Sequence, residues 1–335
     1  MKFANEPHWQ HLPFIFCVAL SLSISLLLPL ASIAADDPAM DEEQFFTLSN
    51  GTNLRSFGGP EVRKLLSRQK GGGVSFGAKQ EKQYCRLKKS AQIQWCLSDL
   101  ETGDVISSSP NAGDVFFGAS ASKVFVAATL LDKQNGEISK KQLILMTRMI
   151  VRSCNPAWKE LQCQCGTDGS DDAGRQAVHA FIQKMGYENL RAFQGWMTRP
   201  DGSKLHGNEL NSLDVAQFLF DTYHNRYPGA EILWKIMQGT RTGSKKINKY
   251  TPSSIYIAGK TGTYHGPNES KATIKHAAIK ARNHIAVFNI NGKYYSLTIL
   301  SNTGKDEDVA VLGGGLMREY LGVEKSVQCP DEKKE

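Results

Sequence analysis

The sequence predicts an α/β protein of the α+β type, with one antiparallel sheet formed from both ends of the compact part of the chain. Three observations predict it. Gln92–Leu97 alternates polar and apolar side chains, as a half-buried strand does. Residues 284–300 form two strand-like runs around an Asn291–Gly292 turn, which is a strong hairpin signal. Several amphipathic runs with helical spacing lie between these strands, so helices should flank the sheet.

The composition is globular, with a mild basic excess. Among 335 residues, 40 Lys and Arg oppose 33 Asp and Glu, which gives a formal charge of +7, and 41% of residues are hydrophobic. Such an excess either attracts anionic partners or belongs to a solvated surface, and the second is more common. No zinc-type cysteine pair, dinucleotide-binding glycine motif or Walker loop occurs. We therefore expect no cofactor, no metal and no nucleic-acid partner.

Residues 1–35 are predicted to be a secretory signal peptide. Lys2 lies in a short polar start, an uncharged apolar run extends to Ala35, and small residues precede Asp36. Cleavage is expected near Ala34 or Ala35. The run is also long enough to span a bilayer, so an uncleaved membrane anchor is the alternative. In either case the sequence predicts export, to the periplasm or the extracellular space.

Residues 36–84 are polar and contain glycine clusters, so they are predicted to be an extension or linker with one short helix at Glu61–Lys70. The compact domain is placed at residues 85–323 and a polar tail at 324–335. The elements predicted within the domain are strands at 92–97 and 105–107, a helix after Ser120, helices at 140–150, 157–162, 177–185, 213–224 and 231–238, strands at 254–263, 284–290 and 293–300, and a helix at 308–321.

Six cysteines remain after the predicted cleavage, and an even number in an exported chain permits disulfides. Cys85 and Cys329 flank the predicted domain, so a bond between them would join its ends. Cys154 lies near Cys163 and Cys165 in sequence, which makes a local bridge the second option. Spacing alone leaves the pairing open.

Ser120-Ala-Ser-Lys123 lies where a loop enters an apolar helix. Residues three apart share one helical face, so the hydroxyl and the amine should meet. The positive end of the helix dipole and the apolar surroundings both disfavour the charged amine. A neutral lysine beside a serine can take its proton and make it a nucleophile. The alternative is a capping serine beside a solvated lysine, and the pattern also occurs at Ser67–Lys70.

Two further motifs follow in order, Ser153-Cys154-Asn155 after a predicted helix and Lys260-Thr261-Gly262 on a predicted strand. On these three motifs the chain resembles the serine β-lactamase and penicillin-binding protein superfamily, and class A β-lactamases in particular. The likeness runs from about residue 91 to 322 and includes the order of elements. It implies the β-lactamase/DD-peptidase-like fold and a serine hydrolase that forms an acyl-enzyme. Cys154 stands where the family has Asp, and the short stretch between the first two motifs implies a reduced all-helical subdomain.

The resemblance also implies roles for the motif residues. Ser120 would attack the carbonyl, with Lys123 as its base. Ser153 would pass a proton to the leaving nitrogen, and Lys260 would supply positive charge that keeps these protons mobile. The oxyanion would be held by the backbone N–H groups of Ser120 and Thr263.

Substrate binding is assigned by the same resemblance. Asn155 would hold Lys123 or the substrate amide. Four further residues would contact the substrate carboxylate or shape its binding site. They are Thr261, Gly262, Thr263 and Arg282.

Hydrolysis of the acyl-enzyme needs an activated water, for which class A enzymes use a Glu on the loop before the helix at 213–224. Aligning residues 195–200 with that stretch supplies no Glu, and aligning 208–211 places Gly207 at the base position. Glu209 is the nearest substitute for the base, and Asn211 could position the water.

This gap leaves three hypotheses. The first is an exported class A-like β-lactamase that acts on small β-lactams, with an unusual deacylating base. The second is a D-alanyl-D-alanine peptidase acting on peptidoglycan stem peptides. The third is a penicillin-binding or sensor domain without turnover. Overall likeness to class A favours the first.

Overall fold

The computed structural model describes residues 40–187, 189–199, 201–266 and 280–329. The predicted signal peptide and residues 330–335 of the predicted tail lie outside these ranges. Within them, no helix has both the length and the apolar character that crossing a membrane requires.

The described chain contains nine strands, of which five form the main sheet. The strands are β1 Ile93–Asp99, β2 Val105–Ser108, β3 Phe116–Phe117, β4 Trp196–Thr198, β5 Lys204–His206, β6 Glu209–Leu210, β7 Ile257–Thr263, β8 Arg282–Ile290 and β9 Lys293–Ser301. The main sheet is antiparallel with the order β2-β1-β9-β8-β7. Its strands therefore come from both ends of the compact chain, and the predicted fold class is confirmed.

The helices occupy the positions that the sequence predicts after residue 120, with ends shifted by a few residues. They are α1 Glu42–Phe45, α2 Leu54–Gly58, α3 Pro60–Leu65, α4 Ala78–Lys88, α5 Lys123–Lys133, α6 Lys140–Val151, α7 Asn155–Cys165, α8 Asp171–Lys184, α9 Ser212–Tyr223, α10 Ala230–Gln238 and α11 Asp306–Leu321. Two 3₁₀ turns lie at Ala119–Ser122 and Ile247–Tyr250.

Helices cover both faces of the sheet, because alternate residues of each strand point to opposite sides. In β8, Ile285 and Val287 share a core with α5, α9 and α10. Ala286 and Phe288 lie in a second core with α4 and α11. The edge strand β7 contacts the 3₁₀ turn before α5, and this places the third motif beside the first.

Residues 36–84, predicted to be a polar linker, contain helices and buried side chains over the part that the structure describes. The first half of this segment forms α1, α2 and α3, and Phe45, Phe46 and Leu66 are buried in the core. The helix predicted at 61–70 ends at Leu65. Helices of four to six residues show too little periodicity to be recognised, and tertiary packing stabilises them. The segment is thus packed against the domain, while the outer limits of the domain stay a prediction.

A disulfide joins Cys85 to Cys329 across 244 residues. This bond is one of the two that the sequence led us to expect. Cys154, Cys163 and Cys165 are free thiols, so the local bridge does not form.

Replacing both Cys85 and Cys329 by Ser should lower the free energy of unfolding by about 2–5 kcal/mol, because the bond restricts a long loop in the unfolded chain. Denaturant unfolding of the oxidised wild type and the double variant measures this difference. Cys163→Ser, which removes a free thiol, is the matched control. Equal stability of the double variant and the control would contradict the expectation.

Candidate active site

The first motif lies in a tight turn rather than in the helix itself. Ser120 belongs to the 3₁₀ turn and Lys123 is the first residue of α5. In a 3₁₀ turn the side chains at i and i+3 eclipse each other, which brings the two together. Lys123 Nζ lies 3.0 Å from Ser120 Oγ. Ala119, which precedes the serine, has φ of +49°, a strained conformation of the kind found at functional sites.

Lys123 is fully buried and burial lowers its pKa to about 8. Its Nζ donates to Ser153 O and to Asn155 Oδ1, both at 2.7 Å. These two partners are acceptors only, and a neutral amine has two N–H groups. The lone pair of the neutral amine is therefore left for a hydroxyl proton, and Ser120 Oγ at 3.0 Å and Ser153 Oγ at 3.1 Å are the two hydroxyls within reach.

Ser153 connects the two buried lysines. Its Oγ lies 3.1 Å from Lys123 Nζ and 3.0 Å from Lys260 Nζ. The residue joins α6 to α7 with φ of +59°, a rare conformation for a serine. Cys154 follows as the N-cap residue of α7 without a side-chain hydrogen bond to the helix. The second motif thus places one hydroxyl between two amines, on a path along which a proton can move.

The third motif reaches the site because Gly262 has no side chain. A Cβ at this position would lie 2.6 Å from Gly118 O and 3.0 Å from Ala121 N, so only glycine lets β7 approach the turn around Ser120 this closely. Lys260, two residues earlier, is fully buried and donates to Thr261 O at 2.6 Å. Burial, followed by the charges of Lys123 and Lys246, holds the pKa of Lys260 well below its usual value.

The predicted carboxylate-binding residues lie on β7 and β8. Thr261 forms a hydroxyl–hydroxyl hydrogen bond with Thr242, and Thr263 is exposed. Arg282 lies opposite Thr263 in the sheet register. Its guanidinium donates to the carbonyls of Tyr264 and Ala281 and lies 3.3 Å from an oxygen of Asp306. Arg282 is therefore fixed by groups of its own chain, and its role toward substrate stays a prediction.

Lys246 is a site residue that sequence reasoning missed. It is buried, and its Nζ donates to Gly262 O at 2.7 Å and to Thr263 Oγ1 at 3.1 Å. Burial lowers its pKa to about 8, and Asp306 at 3.5 Å partly opposes this effect. In the sequence it follows Lys245 in a polar stretch, which is typical of a solvated loop. The packing of the following 3₁₀ turn under the sheet places it here.

A cavity of about 310 Å³ opens beside Ser120. It is lined by Phe117, Ala119, Ser120, Asn155, Trp158, Gln194, Gly195, His206, Asn208, Thr263 and Tyr264. Glu209 and Asn211 are not among these residues. Glu209 Oε2 is 2.7 Å from Arg191 Nη1, and Asn211 caps α9 by accepting from Asp214 N. Across the described ranges, no three His, Cys, Asp or Glu side chains cluster as a metal site requires.

Gly207, which one alignment placed at the base position, has no room for a side chain. A Cβ there would lie 2.2 Å from the carbonyl oxygen of Phe193 and 2.4 Å from its ring. His206, the preceding residue, does line the cavity, and sequence reasoning missed it. Its only signal is its place directly before the glycine.

Comparison with known proteins adds a family match. Residues 144–313, half of the chain, match the model of the beta-lactamase enzyme family. This match includes the second and third motifs and begins after Ser120. No curated protein matches the chain significantly.

Solved structures with a similar fold include several β-lactamases. One from Streptosporangium roseum is 18% identical with a TM-score of 0.55, and the likeness covers 74% of this chain and 100% of that chain. One from Xanthomonas campestris pv. campestris is 16% identical with a TM-score of 0.55 over 73% and 98%. An ancestral class A β-lactamase is 17% identical with a TM-score of 0.53 over 70% and 97%. At such identities these structures establish the fold alone.

Proposed function

This chain belongs to the beta-lactamase enzyme family, and from that premise we propose that it is an exported β-lactamase that hydrolyses the β-lactam amide through an acyl-enzyme on Ser120. The coarser description, a β-lactamase-like serine hydrolase, follows from the family itself. One observation carries the proposal. Lys123 Nζ lies 3.0 Å from Ser120 Oγ while acceptor-only groups occupy its N–H bonds.

Acylation begins with proton transfer from Ser120 Oγ to neutral Lys123, and Oγ attacks the lactam carbonyl. The resulting oxyanion is stabilised by the backbone N–H groups of Ser120 and Thr263, and losing one such donor typically costs about 10²–10³ in rate. When the C–N bond breaks, the nitrogen needs a proton. Ser153 delivers it and is reprotonated by Lys123, which lies 3.1 Å away.

The substrate carboxylate is bound at β7. Thr261 and Thr263 offer hydroxyls there, and Lys246 and Lys260 lie buried beneath them. Lys246, whose pKa of about 8 leaves the amine mostly protonated at neutral pH, gives this strand a positive field that attracts an anionic ligand. Both β-lactams and peptides that end in D-alanyl-D-alanine carry such a carboxylate.

Export is supported by two features. The N-terminal 35 residues have the composition of a signal peptide, and the bond between Cys85 and Cys329 is of a kind that persists in oxidising compartments. We place the mature enzyme in the periplasm or outside the cell, attached to the membrane only if that segment is not cleaved.

One observation favours a D-alanyl-D-alanine peptidase as the second candidate. Neither alignment of the loop supplies the deacylating Glu of class A enzymes, and in the one that places Gly207 at that position the backbone and ring of Phe193 leave no room for a side chain. Peptidoglycan stem peptides would then be the substrates, and β-lactams would remain bound as stable adducts.

A label-retention time course separates the two candidates. The protein is reacted with a fluorescent penicillin, unbound reagent is removed, and the adduct is followed over time. We expect rapid loss of label together with hydrolysis of a chromogenic cephalosporin. A stable adduct together with release of D-alanine from a pentapeptide stem would favour the peptidase. A stable adduct without peptidase activity would indicate a penicillin-binding or sensor domain.

The rate of acylation should rise as the pH is raised through about 8. Below the lowered pKa of Lys123 the amine is charged and cannot accept a proton, so the rate should fall about tenfold for each pH unit. Above it the amine is neutral and the rate levels off. Stopped-flow labelling at saturating penicillin between pH 6 and 9 measures this profile. A flat profile over that range would contradict Lys123 as the base.

A further inference from the structure

A second cavity, of about 410 Å³, lies between α4 and the start of α11. These two helices pack in the second core, whereas α5, which follows Ser120, packs in the first. The cavity therefore lies on the face of the sheet opposite to α5. We call it the α4–α11 groove, and it is lined by Lys79, Lys82, Gln83, Arg86, Lys305, Glu307 and Asp308.

Four cations surround the groove. Lys79, Lys82 and Arg86 are three and four residues apart, so they share one face of α4. Lys305 directly precedes α11. All four residues are exposed, and within the described ranges none of their side chains forms a salt bridge or a hydrogen bond. Because like charges at these spacings destabilise a helix, the fold itself gains nothing from this arrangement.

The two carboxylates of the lining are already bound by other groups of the chain. Glu307 accepts hydrogen bonds from Lys249 and Tyr250, which lie outside the lining. Asp308 Oδ1 accepts from Gln83 Nε2 at 2.8 Å. The lining therefore carries four formal positive charges and two negative ones, a net charge of +2.

The groove exists before any ligand binds, because α4 lies close against α11. Gly315 permits this approach, since a Cβ there would lie 2.2 Å from the ring of Tyr84, which is fully buried. The disulfide from Cys85 to Cys329 also ties α4 to the chain after α11. The backbone that carries the cations is thus already in place, which reduces the cost of binding.

We propose that the α4–α11 groove binds phosphate, either in a soluble phosphate compound or in lipid head groups. A phosphate monoester, or two adjacent phosphate diesters, supplies the two negative charges that the lining lacks. Phosphate oxygens accept from several ammonium and guanidinium groups at once, whereas a carboxylate has one charge and two oxygens. The site is separate from the catalytic residues, so the proposal does not depend on the reaction at Ser120.

Titration calorimetry of the oxidised protein with pyrophosphate at low ionic strength tests the site. We expect wild type to bind and Lys82→Gln/Arg86→Gln to bind about tenfold more weakly or less, because charge-assisted hydrogen bonds are lost. Lys64→Gln/Lys293→Gln is the matched control. Both of these lysines are exposed, form no salt bridge within the described ranges and lie outside the groove, so the control loses the same net charge.

Sedimentation with vesicles distinguishes the two sources of phosphate. Vesicles of phosphatidylglycerol are compared with vesicles of phosphatidylcholine, which carry no net charge. Retention on phosphatidylglycerol alone, lost in Lys82→Gln/Arg86→Gln, would assign lipid head groups. Binding of pyrophosphate without retention on either vesicle, and lost in the same variant, would assign a soluble phosphate compound. Added salt should weaken binding in both cases, because the cations are exposed.

Three results would overturn the site. They are wild-type affinity in Lys82→Gln/Arg86→Gln, an equal loss in Lys64→Gln/Lys293→Gln, which would reduce the effect to overall charge, and no binding of either probe by wild type. Thermal unfolding shows whether each variant is folded, so the result does not depend on enzymatic activity. Labelling by fluorescent penicillin should be the same in both double variants as in wild type, and failure of this site would leave the β-lactamase proposal intact.

Discussion

Ser120→Ala should abolish covalent labelling by penicillin and lower β-lactam hydrolysis on the order of 10⁴-fold or more, because removing a nucleophile disables all steps that depend on it. The change removes one oxygen and leaves a residue that the 3₁₀ turn accepts. The side chain of Lys123 keeps its bonds to Ser153 O and Asn155 Oδ1. The fold should therefore persist, and gel fluorescence after reaction with labelled penicillin measures the result directly.

The chain offers its own control for this experiment. Ser67 and Lys70 repeat the spacing of the first motif, but they lie outside any helix, and Ser67 Oγ accepts from Arg241 instead of a buried lysine. Ser67→Ala should label as wild type does. Undiminished labelling of Ser120→Ala would remove Ser120 as the nucleophile.

Lys123→Met should slow acylation by about 10²–10⁴-fold while leaving the nucleophile in place. Methionine is unbranched and adapts to a buried site, so the loss is one of proton transfer more than of shape. Two acceptors lose their donor, at a cost of about 1–3 kcal/mol for each, and thermal unfolding checks that the variant is still folded at the assay temperature. Stopped-flow labelling measures the rate.

Lys70→Met is the matched variant for this second prediction. Lys70 is exposed and lies over the ring of Tyr256, 5.2 Å from its centroid, so losing its charge should leave acylation unchanged. Labelling of folded Lys123→Met at the wild-type rate would rule out this lysine as the base.

The sheet and the three motifs could be predicted because each has a local signal. The turn at Asn291–Gly292 indicated β8 and β9, which the structure has at Arg282–Ile290 and Lys293–Ser301. The spacing of Ser120 and Lys123 predicted that their side chains meet, although a 3₁₀ turn rather than the first turn of α5 brings this about. The sequence identified Gly262 only as part of a motif. The structure shows why a glycine is needed there, because β7 approaches the turn around Ser120 too closely for a side chain.

Residues without a local signal could not be predicted. Lys246 reads as a surface lysine, and only the packing of the chain under β7 buries it beside Gly262. His206 lines the cavity because the short strands β4 and β5 pair with each other, and this pairing has no clear signal in the sequence. Phe45 ends α1, a helix too short to show a period, and Phe46 directly follows it, so the burial of both depends on tertiary contacts.

The most direct test of the account is to locate the acyl group on the penicillin-treated wild-type protein by mass spectrometry. Short exposure and acid quenching trap the intermediate, and digestion identifies the modified peptide. One acyl group per chain, on the hydroxyl of Ser120, is the predicted result. An acyl group on any other residue, or none on folded protein at any time point, would contradict the claim that a buried neutral lysine activates this serine.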